Sequence, residues 1–140
     1  MTRLLVLCLG LFAAGWAQAG EVTAEDLAEI RAVINRQIEA FRRDDAQGAF
    51  ALVSPGVQEA FGTPERFLDV VRVSYRPVYR PAAVTFLGLT VIGADAVQRV
   101  QLTDASGALW HAYYAMQRQK DGTWRTNGCR LVQPAKTIPT

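Results

Sequence analysis

The chain divides into two halves whose sequence patterns differ. Apolar residues at helical spacings of three and four stop before Tyr75, and strand-like segments joined by short turns begin after Pro81. A chain that places its helices first and a run of hairpins afterwards has to pack the helices on one face of an antiparallel sheet. We therefore expect an α+β fold. The pattern indicates no chemistry, because the sequence contains no metal-ligand cluster, phosphate loop or redox cysteine pair.

The first nineteen residues have the features of a secretory signal. Arg3 gives a positive start, residues 4–14 form an apolar run, and residues 17–19 (Ala-Gln-Ala) form a small-x-small cleavage site. The apolar run is shorter than the roughly 20 residues that cross a bilayer. We expect cleavage at residue 19, export to the periplasm or beyond, and a mature chain that begins at Gly20.

Size and charge restrict what the mature chain can be. Residues 20–132 have the length of one domain, and the polar residues 133–140 are expected to form a flexible tail. The whole chain has 15 basic and 13 acidic residues without a basic cluster, which argues against nucleic acid as a partner. The mature chain has no apolar stretch of membrane length. Because Cys8 leaves with the signal, Cys129 has no partner for a disulfide.

Helix signals are dense in the first half. Thr23 and Asp26 form a predicted capping box for the first helix, whose inward stripe is Leu27, Ile30, Ile34, Ile38 and Phe41. Three further caps predict short helices, and these are Asp45 before residues 46–52, Ser54 before residues 55–61, and Thr63 before a fourth helix. We expect residues 75–81 (Tyr-Arg-Pro-Val-Tyr-Arg-Pro) to be non-helical, because residues before proline favour extended backbone.

The second half predicts four strands, which are Ala83–Val91, Ala96–Thr103, Ala108–Arg118 and Thr123–Val132. Asp121-Gly122 is a strong hairpin signal between the last two strands. Asn127-Gly128 falls inside the fourth strand and is interpreted as a β-bulge.

The third strand carries bulky side chains on both of its faces. One face holds Trp110, Ala112, Tyr114 and Met116, and the other holds Leu109, His111, Tyr113, Ala115 and Gln117. One face is expected to meet the helices, and the other to line a pocket or to meet another subunit. Since large exposed apolar patches are uncommon on monomers, we predict a homodimer that pairs the sheet faces and buries Trp110 or His111.

Several separated motifs resemble one bacterial family, the domain of unknown function 4864. The motifs are Gln37-x-x-Ala40-Phe41-x-x-Asp44-Asp45, Tyr75-x-Pro77-Val78-Tyr79-Arg80-Pro81 and Asp121-Gly122-x-Trp124-Arg125-x-x-Gly128-Cys129. The resemblance implies the nuclear-transport-factor-two-like superfamily, with a cone-shaped fold in which a long N-terminal helix and short helices pack on a curved four-stranded antiparallel sheet. That superfamily includes isomerases, dehydratases, epoxide hydrolases and non-catalytic binding modules, so the fold selects no activity.

Few residues are candidates for acid–base chemistry. Asp44 and Asp45 lie where the first helix ends, and a carboxylate there could act as a general base. The structural alternative is that Asp45 only caps a helix and that Asp44 pairs with Arg42 or Arg43. His111 is the only histidine and the side chain best suited to proton transfer near neutral pH. His111 has no visible orienting partner in the sequence, and its structural alternative is an ordinary surface or strand residue.

The aromatic residues supply the candidate ligand pocket, which comprises Phe41, Tyr75, Tyr79, Tyr113 and Trp124. The leading hypothesis is an exported, non-catalytic module that holds a small molecule or a partner protein of the envelope in the cone cavity, without metal or cofactor. One alternative is a small isomerase, dehydratase or hydrolase that uses Asp45 or His111 with a tyrosine as oxyanion donor. Another is a purely structural dimer of the cell envelope.

Overall fold

The computed structural model of the protein describes residues 21–135. Five helices pack on an open four-stranded antiparallel sheet there, which confirms the predicted α+β class. The predicted signal at residues 1–19 and residues 136–140 of the predicted tail lie outside the described residues. The helices are α1 (Ala24–Arg42), α2 (Ala46–Phe50), α3 (Pro55–Phe61), α4 (Pro64–Ser74) and α5 (Arg76–Tyr79). The strands are β1 (Ala83–Ile92), β2 (Asp95–Thr103), β3 (Leu109–Arg118) and β4 (Trp124–Val132).

Helix α1 begins at the predicted capping box. The Thr23 hydroxyl accepts a hydrogen bond from the Asp26 backbone N–H at 3.1 Å, and the Asp26 carboxylate accepts one from the Thr23 backbone N–H at 2.9 Å. The predicted inward stripe is confirmed, with Leu27 half-buried at its start. The fully buried members of the stripe are Ile30, Ile34, Ile38 and Phe41.

Helices α2, α3 and α4 each start at the predicted cap. The side chains of Asp45, Ser54 and Thr63 accept hydrogen bonds from the backbone N–H three residues further on, at 2.9, 3.3 and 3.2 Å respectively. Helix α2 ends at Phe50, which is two residues earlier than predicted. The local cap signals therefore set where these helices start.

The prediction that residues 75–81 contain no helix is wrong. The backbone N–H groups of Tyr79 and Arg80 each donate to the carbonyl four residues earlier at 2.9 Å, which defines α5. Pro77 lies in the first turn, where a missing N–H breaks no helical hydrogen bond. Arg80 precedes the second proline and has left the helical conformation, with a φ of −142°. The prolines therefore limit this helix to one turn and do not prevent it.

The four strands pair in chain order through hairpins, and their ends differ from the predicted ends by at most one residue. The link between α2 and α3 pairs with the free edge of β4. Thr126 is the point of attachment, because its N–H donates to the Leu52 carbonyl at 2.9 Å and its carbonyl accepts from the Ser54 N–H at 2.8 Å. This pairing ties the helical layer directly to the sheet.

Two bulges bend the sheet. Asn127 and Gly128 together lie opposite a single residue of β3, as predicted, and Gly128 has a φ of 136° that side chains rarely adopt. A second, unpredicted bulge interrupts β1 at Leu87 and Gly88. The buried Gln98 amide spans it by donating to the Leu87 carbonyl at 2.9 Å.

The two faces of β3 have different environments. Ala112, Tyr114 and Met116 lie under the helices and are at most 1% exposed. On the outer face, Tyr113 is half-buried and has an arginine as its cross-strand neighbour on either side. One of these, Arg130, holds its guanidinium 5.8 Å from the ring centre. The helices therefore cover the face that contains Tyr114, and the face that contains His111 and Tyr113 is the outer one.

Candidate functional site

A cavity of about 210 Å³ lies between the helices and the inner face of β3 and β4. Its apolar wall is built mainly by helical side chains, including Phe41, Val57, Phe61, Phe67, Val71 and Val78. The polar side chains that line it are Gln37, Tyr75, Tyr114, Thr126 and Cys129. No lining residue carries a charge at neutral pH. The cavity is therefore an apolar space with a small number of neutral polar groups, which is the usual character of a small-molecule site.

Phe67 of α4 is the centre of an aromatic cluster at this cavity. Its ring centre lies 5.8 Å from that of Phe41, 5.7 Å from Phe50 and 5.3 Å from Phe61, in tilted or edge-on contacts. These rings come from four different helices. The contacts among them fix how the helices enclose the cavity.

Gln37 of α1 provides one polar group, and its orientation is determined by its neighbours. Its Nε2 donates to the Ala49 carbonyl at 3.2 Å and to the Thr126 hydroxyl at 3.1 Å. A carbonyl can only accept, so the amide nitrogen has to lie on that side. The Gln37 Oε1 then lies on the other side and accepts no hydrogen bond from residues 21–135. Gln37 thus offers an unused acceptor in a residue that lines the cavity.

Tyr114 and Cys129 form a cross-strand pair on the inner face and both line the cavity. Tyr114 is 1% exposed, and within the described part of the chain its hydroxyl has no hydrogen-bond partner. Burial, followed by the nearby Cys129, raises the pKa of Tyr114 well above its ordinary value. Burial also raises the pKa of the Cys129 thiol to about 12. Both groups are neutral at physiological pH, and their surroundings disfavour an anion.

The predicted pocket residues are divided among three places. Phe41 and Tyr75 line the cavity, whereas Tyr79, Tyr113 and Trp124 do not. Tyr113 lies on the outer face of the sheet because it is one residue away from Tyr114 on a strand that alternates faces. The sequence interpretation therefore selected the outward tyrosine of β3 and missed the inward one.

Tyr79 instead belongs to a polar cluster at the end of α1. Its hydroxyl donates to one oxygen of Asp44, and Arg80 donates to the other at 3.1 Å. Asp44 thus pairs with Arg80, and the predicted pairing with Arg42 or Arg43 is wrong. The Tyr79 hydrogen bond is the main cause of a lowered Asp44 pKa, and the same bond raises the pKa of Tyr79. Asp44 is therefore held ionised as an acceptor that joins α1 to α5.

The two candidate acid–base residues lie away from the cavity. Asp45 is exposed and its carboxylate accepts the Gly48 backbone N–H at 2.9 Å, as a helix cap. His111 lies on the outer face of the sheet, between Gln101 of β2 and Val132 of β4. The structure does not bring Asp45 and His111 together with each other or with the cavity lining.

Trp124 lies on the same inner face at the far end of β4, beside the start of α1. Its indole N–H donates to Asp26 at 3.0 Å, and Arg118 donates to the same carboxylate at 3.2 Å. The Arg118 guanidinium also lies 4.5 Å from the Trp124 ring centre. The Thr23 backbone N–H, then Trp124 and Arg118, hold the pKa of Asp26 far below its ordinary value. This cluster ties the N-terminus of α1 to the sheet.

Sequence reasoning missed Gln37, Tyr114 and Cys129 as a group. A weak signal for Gln37 was available, because it is a polar residue beside the buried Ile38 and three positions after the buried Ile34. Tyr114 could be identified as inward only once the covered face of β3 was known. Within residues 21–135, no group of three or more His, Cys, Asp or Glu side chains could hold a metal ion. No helix of that part is long and apolar enough to cross a membrane.

Comparison with known proteins places the chain in a family. No curated protein and no solved structure matches it. The model of the family described as Domain of unknown function (DUF4864) matches residues 23–138, which is most of the chain and includes every residue that lines the cavity. The resemblance noted in the sequence motifs is thereby confirmed, and the chain belongs to the DUF4864 family.

Proposed function

We propose that the protein is an exported binding module that holds a small molecule in the cavity between its helices and its sheet, without catalysing a reaction. The observation that carries this proposal is the cavity itself, which measures about 210 Å³, has an apolar wall and is lined by Tyr114, whose buried hydroxyl has no partner within residues 21–135. Leaving a polar group unsatisfied inside a protein costs stability, on the order of 1–3 kcal/mol. A ligand that bonds to this hydroxyl would offset that cost.

Export to the periplasm or beyond is part of the proposal. Its support is the arrangement of Arg3, the apolar residues 4–14 and the cleavage site at residues 17–19. Mass spectrometry of the protein from its native envelope should find Gly20 as the first residue. An intact Met1 on protein from the cytoplasm would contradict this part.

We also propose that the fold is a cone of the nuclear-transport-factor-two-like superfamily. The support is the order of the elements, with the helices first and a four-stranded antiparallel sheet after them, and the two bulges that bend that sheet. In such a cone, α1 would be the long N-terminal helix and the cavity would lie inside the curved sheet. An experimental structure that has a flat sheet and a filled interior would contradict this assignment.

The alternatives have less support from the positions of their residues. An acid–base enzyme that uses Asp45 or His111 would need one of them at the cavity, and both lie elsewhere. A partner protein would need more than a cavity of single-ring size. The cavity therefore supports binding of a small molecule more than acid–base catalysis or binding of a partner protein.

A homodimer that pairs the outer sheet faces stays a prediction. Its candidate surface includes His111 and Tyr113, with Arg99 and Arg130 beside Tyr113. An isologous pairing would bring the arginines of the two copies near one another, so we expect it to strengthen as salt screens their charges. Sedimentation at low and high ionic strength measures this, and a monomer under both conditions would contradict the dimer.

Filling the cavity tests the binding function. Replacing Val71, which lines the cavity, by Phe should abolish the rise in melting temperature that small apolar compounds such as toluene and phenol cause in the wild type. Val73→Phe is the matched control, because Val73 lies on the same helix and is 73% exposed. It should leave the ligand effect unchanged. If neither compound shifts the wild-type melting temperature and calorimetry detects no heat of binding, the proposed function is wrong.

A further inference from the structure

The lining of the cavity limits the charge of its ligand. None of the lining residues is charged at neutral pH, and two of those able to ionise are the buried Tyr114 and the half-buried Cys129. Burial raises the pKa of both, which means that the same surroundings that would enclose a ligand already disfavour negative charge. A cation would find no carboxylate there either. The lining therefore favours a neutral ligand over a charged one.

The size of the cavity limits the ligand to about one ring. An engineered apolar cavity of about 150 Å³ in another protein accommodates benzene. The cavity here measures about 210 Å³, so a six-membered ring with one or two further heavy atoms fits. The aromatic side chains of Phe41, Phe61 and Phe67 offer edges and faces against which such a ring can pack.

Two polar groups without a partner in the described chain, one on Gln37 and one on Tyr114, indicate which substituent the ring of the ligand carries. Gln37 Oε1 can only accept a hydrogen bond, and no described residue donates to it. The Tyr114 hydroxyl can donate, and it has no partner within residues 21–135. A ligand hydroxyl that reached both groups would satisfy both, since it can donate its proton to Gln37 and accept from Tyr114.

We infer that the cavity binds a neutral molecule of about one ring bearing a hydroxyl group, which hydrogen-bonds to Gln37 and Tyr114. This inference rests on the proposed binding function and specifies the class of ligand. A carbonyl or nitrile compound would use only Tyr114, a hydrocarbon neither residue, and a carboxylate would bring an uncompensated charge into an apolar space.

Four probes of similar size separate these classes by calorimetry, namely phenol, benzonitrile, toluene and benzoate. The key variant is Tyr114→Phe, which removes only the unpartnered hydroxyl and should fold. Its matched control is Tyr113→Phe, one residue earlier on the same strand and on the outer face. We expect Tyr114→Phe to weaken phenol binding about tenfold, as the loss of one buried hydrogen bond implies, and to leave toluene binding unchanged. Tyr113→Phe should change neither.

The affinities of benzonitrile and benzoate test the role of Gln37 and the neutral charge of the ligand. Phenol should bind more tightly than benzonitrile, which cannot donate to Gln37, and benzoate should not bind. If the phenol-to-toluene affinity ratio is the same in the wild type and in Tyr114→Phe, the inference that the ligand carries a hydroxyl group is wrong. The proposal that the cavity binds a small molecule would then still stand. Benzonitrile binding as tightly as phenol overturns the role of Gln37, and benzoate binding overturns the neutral class. If no probe binds the wild type, the proposed function itself fails.

Discussion

Trp124 and Tyr114 are two buried aromatic residues on the same face of the sheet, and they differ in what their polar groups contact. Trp124 is 2% exposed and its indole N–H donates to Asp26 at 3.0 Å. Tyr114 is 1% exposed and its hydroxyl has no partner among residues 21–135. The first residue uses its polar group to hold α1 on the sheet. The polar group of the second has no partner in the described chain and belongs to a residue that lines the cavity.

The two ends of the helix–sheet interface differ in how their polar groups are used. At the Trp124 end, which we call the closed end, the Asp26 carboxylate is 13% exposed and accepts hydrogen bonds from three residues. At the Tyr114 end, apolar side chains enclose space and the polar groups are only partly used. The two ends therefore differ in how completely their polar groups are hydrogen-bonded.

The largest effect on stability is expected from the wall of the cavity. Phe41 is 1% exposed and contacts the rings of Phe67 and Tyr79. Phe41→Ala should lower the free energy of unfolding by about 3–5 kcal/mol, measured by denaturant titration, because it empties a packed aromatic site. A loss below about 1 kcal/mol would show that Phe41 is not tightly packed and would contradict this prediction.

The thiol of Cys129 should be almost unreactive. With a pKa of about 12, its thiolate fraction at pH 7 is about a thousand times smaller than that of a thiol of pKa 9. Because a thiolate of higher pKa is also more nucleophilic, iodoacetamide should modify it about 30- to 60-fold more slowly than the exposed thiol of the double variant Cys129→Ser, Val73→Cys. Its rate should still be rising between pH 9 and 11. A rate that levels off near pH 9 would show that the thiol is open to water.

Removing the Asp26 carboxylate at the closed end should have the second largest effect on the free energy of unfolding, after Phe41→Ala. Asp26→Ala deletes the capping box and the acceptor of Trp124 and Arg118, and should lower the free energy of unfolding by about 2–3 kcal/mol at pH 7. Because folding lowers the Asp26 pKa, its contribution is present above the ordinary value near 4 and is lost as pH falls below it.

Denaturant titrations of the wild type and Asp26→Ala between pH 2 and 7 measure this dependence. The difference between the two proteins should shrink steadily as the pH is lowered below 4. A difference that stays constant across the range would show that the Asp26 charge does not stabilise the closed end. Glu29→Ala on the same helix is a suitable control, since no described residue forms a salt bridge with Glu29.

The smallest effect is expected from Tyr114→Phe in the absence of ligand. Because the lost hydroxyl has no partner in the described chain, the free energy of unfolding should stay the same or rise by up to about 1 kcal/mol. Trp124→Phe, by contrast, leaves the Asp26 carboxylate without one of its donors and should destabilise. Equal losses for both variants, measured by thermal unfolding, would remove the distinction between the two ends.

The features that the sequence determined are those that depend on neighbours within a few residues. The caps at Thr23, Asp45, Ser54 and Thr63, the strand limits and the bulge at Asn127-Gly128 all follow from local hydrogen bonds and backbone preferences, and all are confirmed. The error at α5 has the same origin. The preference of residues before proline is a tendency, and the single turn from Arg76 to Tyr79 overrides it where no proline N–H is required.

The candidate site was decided by contacts between residues far apart in the chain. Alternation along β3 separates Tyr113 from Tyr114, but only the packing of the helices on one face makes Tyr114 the inward residue. Gln37 meets Thr126 across 89 positions, and Asp44 meets Tyr79 and Arg80 across 35 and 36. Such pairings depend on how whole elements pack together, because local propensities do not fix which distant side chains meet or which polar groups remain without a partner.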